Sequence, residues 1–530
     1  MSQIAQEQCS DIMFTLRAVG LTDATGTWDE AMIEASLNSV ADFASEILEP
    51  ANATADQQGC ILENGKVKSP QVLEKAYAEY IGRGLHLLGL GSEFDGLEAP
   101  KQVQLAAIEI MSGANHSFQM GVGLVSGAAE LIARNCSADR AQKYIAPMAT
   151  GETLATMCLT EPEAGSDLNN IRCSATKNGN NWIISGTKIF ISGGGQSMSE
   201  NILHLVLAKT GTREDGRAQL SLFAVDGSAQ VRVLRVEEKL GLHASPTCAL
   251  AFEDAPAELI GEDGNGLAAM FILMNHARID VATQAVGHAT AAFLKAREYA
   301  SQRIQGRDKM GNAIPISEHG DVKRMLTEME ASTLGLRAMC YLALTEENSD
   351  LLDFLTPVCK AFVTDKGVTA VDTAIQVLGG YGYLPDYGLE QHWRDARITR
   401  IYEGTNGIMA MTLADRLLDV KDGALADHFA QRVEDFAAKA PFDMAKQITR
   451  LIGLWKQART IIVALSDRGA SAYAFLTLTG LVWNVCAWSV LRSQADLANS
   501  PERIEGLGDF ACANAFAEAQ YQASLIGVQS

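Results

Sequence analysis

The octet Arg400-Ile-Tyr-Glu-Gly-Thr-Asn-Gly407 places a carboxylate where proton chemistry could use one. Glu403 stands between apolar Ile401 and Tyr402 on one side and Gly404 on the other. A carboxylate in apolar surroundings has a raised pKa and can act as a base near neutral pH. A glutamate in a loop is ordinarily solvated, so the octet alone leaves both readings open. Three further stretches combine glycine with hydroxyl or aromatic groups. In Cys158-Leu-Thr-Glu-Pro-Glu-Ala-Gly-Ser-Asp167, Thr160 and Ser166 can donate to a ligand and Gly165 lets backbone approach it, or the stretch is a capped loop. Gly186-Thr-Lys-Ile-Phe-Ile-Ser-Gly-Gly-Gly195 puts Phe190 and Ser192 near a glycine-rich rim where a flat aromatic group could rest, or where the chain simply turns. Gln376-Val-Leu-Gly-Gly-Tyr-Gly-Tyr383 closes a helical run, as an ordinary glycine cap also would.

Other chemistries lose support. The nearest approach to G-x-G-x-x-G is Gly121-Val-Gly-Leu-Val-Ser126, which ends in Ser and lies in a helical stretch. No P-loop, H-E-x-x-H or G-x-S-x-G occurs, and the ten cysteines include no C-x-x-C pair, so no metal site is indicated. The net charge of −21 opposes an extended nucleic-acid surface while leaving room for a small anion held by a few arginines. Scattered thiols suit a reducing cytosol, and the start MSQIAQEQCSDIMF lacks a basic then apolar leader, so the expected location is cytoplasmic.

The elements that must position these stretches follow from periodicity. The runs 31–48, 71–88 and 102–136 carry apolar residues at three- and four-residue spacing and predict helices. From about 155 the texture becomes short β-rich runs: 171–176, 182–185, 188–192, 202–209, 220–225, 231–236 and 248–253. The turn signal Lys177–Asn181 (KNGNN) falls between the first two. A small barrel or sandwich is expected. Helix returns after about 265, with Val286, Ala289, Phe293, Ala296, Ala300 and Ile304 on one face. Further helices are expected at 320–347, 351–378, 407–420, 424–438 and 445–465. Residues 469–491 are uncharged over 23 positions and long enough to span a bilayer, but polar dilution by Thr477, Thr479, Gly480, Asn484 and Ser489 favours a buried bundle helix. The reading is an α+β chain in four parts: an N-terminal helical domain (1–153), a β domain (154–264), a helical bundle (265–420) and a C-terminal helical extension (421–530).

Together, CLTEPEAGSD, GTKIFISGGG, FEDAPAELIGEDGNG, RIQG, QVLGGYGY and IYEGTNGI stand in the order and spacing of the acyl-CoA dehydrogenase family, which the chain resembles over about residues 35–420. Gly241-Leu-His-Ala-Ser-Pro-Thr247 and the C-terminal 110 residues resemble most the subfamily acting on 3-methylthiopropanoyl-CoA. The resemblance implies FAD-dependent oxidation of an acyl-CoA thioester to its trans-2-enoyl thioester, with a base removing the α-proton and the β-carbon giving hydride to flavin N5. It implies electron-transferring flavoprotein as acceptor and a homodimer or tetramer, with no membrane or nucleic-acid partner. Alternatives are a general short- or medium-chain acyl-CoA dehydrogenase, an acyl-CoA oxidase and a non-enzymatic helical scaffold.

Residue by residue, the resemblance makes Glu403 the base. The position some relatives use instead, just before Arg278, is Ala277, which takes no proton. Asp280 nearby reads as a solvated or salt-bridged residue. Thr160 and Ser192 match groups that hydrogen-bond the flavin edge, and Phe190 stands where relatives usually carry Trp. Arg303 with Gln305, and Gln376 with Gly379 and Gly380, match stretches reaching the FAD of a neighbouring subunit, and Thr405 is grouped with the cofactor residues. Ser166, Asn275, Arg278 and Gly404 match the acyl-CoA site. The chain departs from the family at Gly320, Gly407 and Pro246. His243 reads as a surface-loop or a pocket residue.

Overall fold

The structure is a computed structural model that describes residues 3–21, 26–179, 181–227, 230–346 and 348–528. It is α+β, with helices toward both ends of the chain and a β barrel between them. Contacts group the chain into a barrel-bearing unit (42–99 and 114–277) and a helical unit (1–41, 100–113 and 278–530).

In the barrel-bearing unit, β1 (Ile61–Glu63) and β2 (Lys66–Lys68) form a short hairpin. The barrel strands are β3 (Thr153–Cys158), β4 (Ser174–Asn178), β5 (Asn181–Ser192), β6 (Asn201–Thr212), β7 (Ala218–Asp226), β8 (Val231–Val236) and β9 (Thr247–Ile260). Pairings run β6–β4–β5–β9–β7 and back to β6, so the sheet closes on itself; β3 adds parallel to β6 and β8 antiparallel to β9. Closure settles the choice between barrel and sandwich. Its interior is packed with Cys158, Ile184, Val206, Phe223, Leu250 and Phe252. The expected break between two runs at 182–192 is absent: β5 is one strand paired with β9, irregular between Ile184 and Gly186 and again between Lys188 and Ile191. Part of the KNGNN turn, Asn180, lies outside the described residues.

The helical unit is built on three long helices, Gly266–Gln302 (from its Arg278 onward), Gly320–Leu344 and Ser349–Leu378. Alanine and glycine let their backbones approach closely. A Cβ on Gly287 would lie 2.4 Å from the Glu109 carbonyl oxygen, and one on Gly367 would lie 3.0 Å from that of Ala285. The first long helix ends one turn earlier than its apolar face suggested. Ile304 belongs to β10 (Ile304–Arg307), which pairs with β11 (Ala313–Pro315), and it is exposed. The run expected as one helix at 407–420 is the α-helix Asn406–Met411 continued by a π-turn, Thr412–Leu417.

Four helices form the extension: Ala424–Lys439, Phe442–Val463, Gly469–Ser493 and Pro501–Leu525. Gly469–Ser493 is the membrane-length segment, and 83% of its apolar window is buried. Its Trp483 donates to the Met339 carbonyl at 3.2 Å, and Thr479 accepts from Trp455 at 2.9 Å. A Cβ on its Gly480 would meet the Phe362 ring at 2.5 Å. Indoles with satisfied N–H groups inside a helix bundle are what a soluble-type core requires.

Candidate active site

The helical unit carries Glu403 on a turn between Arg397–Arg400 and the helix Asn406–Met411. Two consecutive residues there are left-handed, Glu403 at φ +54° and Gly404 at φ +94°. Gly404 adopts this freely, but a glutamate at positive φ is strained and needs surrounding contacts to hold it. Those contacts are two cations on consecutive carbonyls. Arg278 Nε donates to the Glu403 carbonyl at 3.2 Å, and Lys360 Nζ donates to the Gly404 carbonyl at 2.7 Å. Thr405 caps the following helix, its hydroxyl accepting from the Ile408 amide at 3.2 Å. Tyr402, before the base, donates to Gln284.

The result is a half-buried glutamate whose Oε2 is sealed from solvent and makes no hydrogen bond among the described residues. Burial pushes its carboxyl from an ordinary 4.5 up to about 7; Arg278 and then Lys360 pull against that, while Asp280 adds to it. Burial likewise pushes the Lys360 ammonium well below its usual range, opposed by Glu403 and Asp365. A desolvated carboxylate with a free oxygen and a pKa near neutrality is equipped to take a proton from a weak carbon acid.

Lys360 was not singled out in the sequence, although a lone cation in the apolar run Leu355–Val363 was a usable signal. Arg278 is 6% exposed and faces the Glu403 carbonyl, so here it positions the base turn. Asn275, three residues earlier on the same helix, is half-buried.

Elsewhere in the helical unit, a cavity of about 430 Å³ brings Arg303 and Gln305 together with Gly379 and Gly380. Gly379, at φ +61°, caps the helix, and neither glycine has an atom within 4 Å of where a Cβ would be. Arg303 is exposed and no described residue pairs with it. An open glycine cradle beside an unpaired guanidinium fits an anionic phosphate. Gln376 is exposed and does not line this cavity; its carbonyl accepts the Gly379 cap bond.

In the barrel-bearing unit the Thr160 carbonyl accepts from the Ile189 amide at 2.9 Å, joining two of the glycine-rich stretches. Buried Glu161 fastens them: it accepts from Lys188 Nζ at 2.8 Å and from the Arg172 amide at 2.7 Å. Phe190 sits in the β5 irregularity at φ +58° with its ring 61% exposed, and half-buried Thr160 and Ser192 lie to either side of it in sequence. An exposed aromatic ring offers one face to a planar heterocycle. Ser166 is exposed on the loop. His243 is a loop anchor: Nδ1 lies 3.1 Å from Asp56 and Nε2 2.8 Å from the Lys239 carbonyl.

The helical unit thus holds a half-buried carboxylate of near-neutral pKa on a left-handed turn, in a chain that also carries a closed barrel. Models of the acyl-CoA dehydrogenase N-terminal, middle and C-terminal domains match residues 31–152, 156–255 and 264–418. The chain is 34% identical to 3-methylmercaptopropionyl-CoA dehydrogenase of Ruegeria pomeroyi, over 97% of this chain and 95% of that protein. A chain in the structure of the electron transferring flavoprotein of Acidaminococcus fermentans superposes with TM-score 0.64 at 28% identity, covering 75% of this chain and 100% of that one. An acyl-CoA dehydrogenase from Bacillus anthracis, complexed with FAD, shares the fold at TM-score 0.78 and 21% identity, covering 95% and 89%. The chain belongs to the acyl-CoA dehydrogenase family, whose members are FAD-dependent oxidoreductases acting on acyl-CoA thioesters.

Proposed function

We propose that the chain converts 3-methylthiopropanoyl-CoA to 3-methylthioacryloyl-CoA, with Glu403 as the base. The observation that supports the base most directly is the buried, unpartnered Glu403 Oε2. Support for the substrate is likeness to the Ruegeria pomeroyi enzyme along nearly the whole chain, extension included.

The α C–H of a thioester is weakly acidic, so removing it requires a close, desolvated base and a donor to the thioester oxygen as enolate charge grows. Glu403 takes the α-proton, and its own amide N–H, on the left-handed turn, donates to that oxygen. A bound FAD would supply the hydride acceptor for the β-carbon. Arg303 with Gln305, and Gln376 with Gly379 and Gly380, would hold the phosphates of a neighbouring subunit's FAD. Thr160 and Ser192 bond the ring edge, and Phe190 packs beside the ring. Ser166 and Asn275 contact the acyl-CoA.

In this reading the electrons pass to electron-transferring flavoprotein, the chain works in the cytoplasm, and a homodimer lets the arginine cradle serve a neighbouring subunit's cofactor. Residues 421–530 act as a helical extension to that unit. A panel of thioesters scored by flavin bleaching tests the substrate. Faster bleaching by 3-methylthiopropanoyl-CoA than by butyryl-CoA is expected, and the reverse order overturns the assignment. Peroxide release in air without an acceptor would instead make the chain an oxidase. A monomer by light scattering would remove the shared-cofactor arrangement.

A further inference from the structure

Lys360 sits mid-helix in Ser349–Leu378 and is wholly buried. Burying an ammonium is costly unless its protons find acceptors. Two acceptors meet it: the Gly404 carbonyl at 2.7 Å and Asn406 Oδ1 at 2.8 Å, on either side of Thr405. Asn406 is held in turn. Its Nδ2 donates to Thr364 Oγ1 at 3.0 Å, to Asp365 Oδ1 at 3.1 Å and to the Ala361 carbonyl at 3.2 Å. Asp365 also pairs with Arg400, at the other end of the base turn, at 2.8 Å. Its second oxygen accepts from Tyr473, on the extension helix Gly469–Ser493.

We infer that Lys360 is a positioning residue for the base: clamped between the Gly404 carbonyl and Asn406, it holds Glu403 in its left-handed turn, and the chain Asn406–Asp365–Tyr473 ties that turn to the C-terminal extension. This rests on the assignment of Glu403 as base and extends it to a cation and a domain with no other stated part in the chemistry. Two roles follow from one placement. The hydrogen bond fixes the direction of the carboxylate, since a left-handed glutamate reverts to ordinary backbone once a carbonyl clamp is lost. The charge also favours the ionised form of the base. The other charged or titratable groups around this base are Arg278 and Asp280 on the first long helix, Asp365 beside Lys360, Arg400 and Tyr402 on the turn, and Arg416 and Asp353 near Arg278. Substituting Lys360 alone changes the identity of none of them.

The test uses FAD-loaded full-length protein, with 3-methylthiopropanoyl-CoA and butyryl-CoA as probes and rapid flavin bleaching as readout. Lys360→Met is expected to slow flavin reduction roughly 100-fold, the cost of a base displaced by about 1 Å, with little change in KM. Its acid limb is expected to move up by about one pH unit, because a cation that favours ionised Glu403 is gone. Lys360→Gln, which keeps a donor without the charge, is expected to recover much of the rate but not the limb, and it carries the test should the methionine variant fail to fold. Tyr473→Phe is expected to slow reduction about threefold, with the limb unmoved, as loss of one ordinary hydrogen bond would. Flavin-loaded Lys360 variants with wild-type rate and limb overturn the inference. Glu403→Gln in the same assay separates the two levels. If it is inert while the Lys360 variants are normal, only Lys360 loses its role; if it bleaches normally, the base assignment itself falls.

Discussion

The helical unit buries two glutamates in opposite ways. Glu109 is fully buried and met by Arg337, whose Nε and Nη2 reach its two oxygens at 2.8 and 2.6 Å, with Thr290 donating at 3.4 Å. Glu403 is half-buried as a residue, and one carboxylate oxygen is sealed off with no partner among the described residues. Of its two neighbouring cations, Arg278 donates through Nε to the Glu403 carbonyl, and Lys360 donates to the Gly404 carbonyl and to Asn406 Oδ1. Burial alone therefore does not make a base. What separates them is where the nearby cations point: at the carboxylate, which makes a structural pair, or at the backbone beside it, which fixes the turn and leaves the carboxylate proton-hungry.

Glu403→Gln should give the largest effect on this contrast. Flavin reduction is expected to fall by about 10³-fold or more, with FAD content and acyl-CoA binding retained, because a positioned base contributes on that scale. Rapid-mixing bleaching measures the rate and visible absorbance the flavin. Glu109→Gln should show the opposite pattern. It leaves Arg337 buried without its counter-charge, which costs about 3 kcal/mol and lowers the unfolding midpoint by roughly 3–5 °C in a unit of this size. The rate of flavin reduction should stay within about twofold of wild type. A large rate loss in Glu109→Gln with unchanged stability would erase the distinction between the two carboxylates.

How far each of these was legible differs for physical reasons. Glu403 was readable because its motif is contiguous: the turn, its glycine and its apolar flanks are all local. Thr160 and Phe190 likewise stand in contiguous glycine-rich stretches. The Glu109–Arg337 pair was not, since its members are 228 residues apart and each lies in a helical run of ordinary polarity. Lys360 sits between these cases, visible as a lone cation in an apolar helix but with partners 44 and 46 residues away. Barrel closure depends on a single parallel pair, Ser174 with Lys209, which no local alternation encodes. The end of the first long helix at Gln302 escaped for the converse reason: Ile304 keeps the helical apolar spacing while β10 takes the backbone.

Arginines repeat the contrast on a smaller scale. Arg337 is saturated by Glu109, while exposed Arg303 has no described partner beside the Gly379–Gly380 cradle. Arg303→Ala is expected to leave the unfolding midpoint of the apoprotein unchanged and to weaken FAD binding about 10- to 100-fold, the worth of a charge-assisted hydrogen bond to phosphate. Fluorescence titration of apoprotein with FAD measures it. Unaltered FAD affinity would mean that the cradle serves something other than the cofactor.

The smallest expected effect is a tenfold change per pH unit, and it interrogates the base without mutation. Reduction requires ionised Glu403, so the rate should fall as pH drops through the carboxyl pKa and level off above it. For kcat/KM that limb belongs to the free enzyme. Burial raises this pKa and outweighs the pull of Arg278 and Lys360, so the limb is expected near pH 7, well above an ordinary carboxylate at 4.5. Glu109→Gln should leave the limb in place, since the Glu109–Arg337 charges are not among those acting on Glu403. A limb near 4.5 in the holoenzyme would mean that water reaches Glu403 Oε2. The two buried carboxylates would then differ in their partners alone, and the base would have to gain its strength from desolvation by the bound substrate.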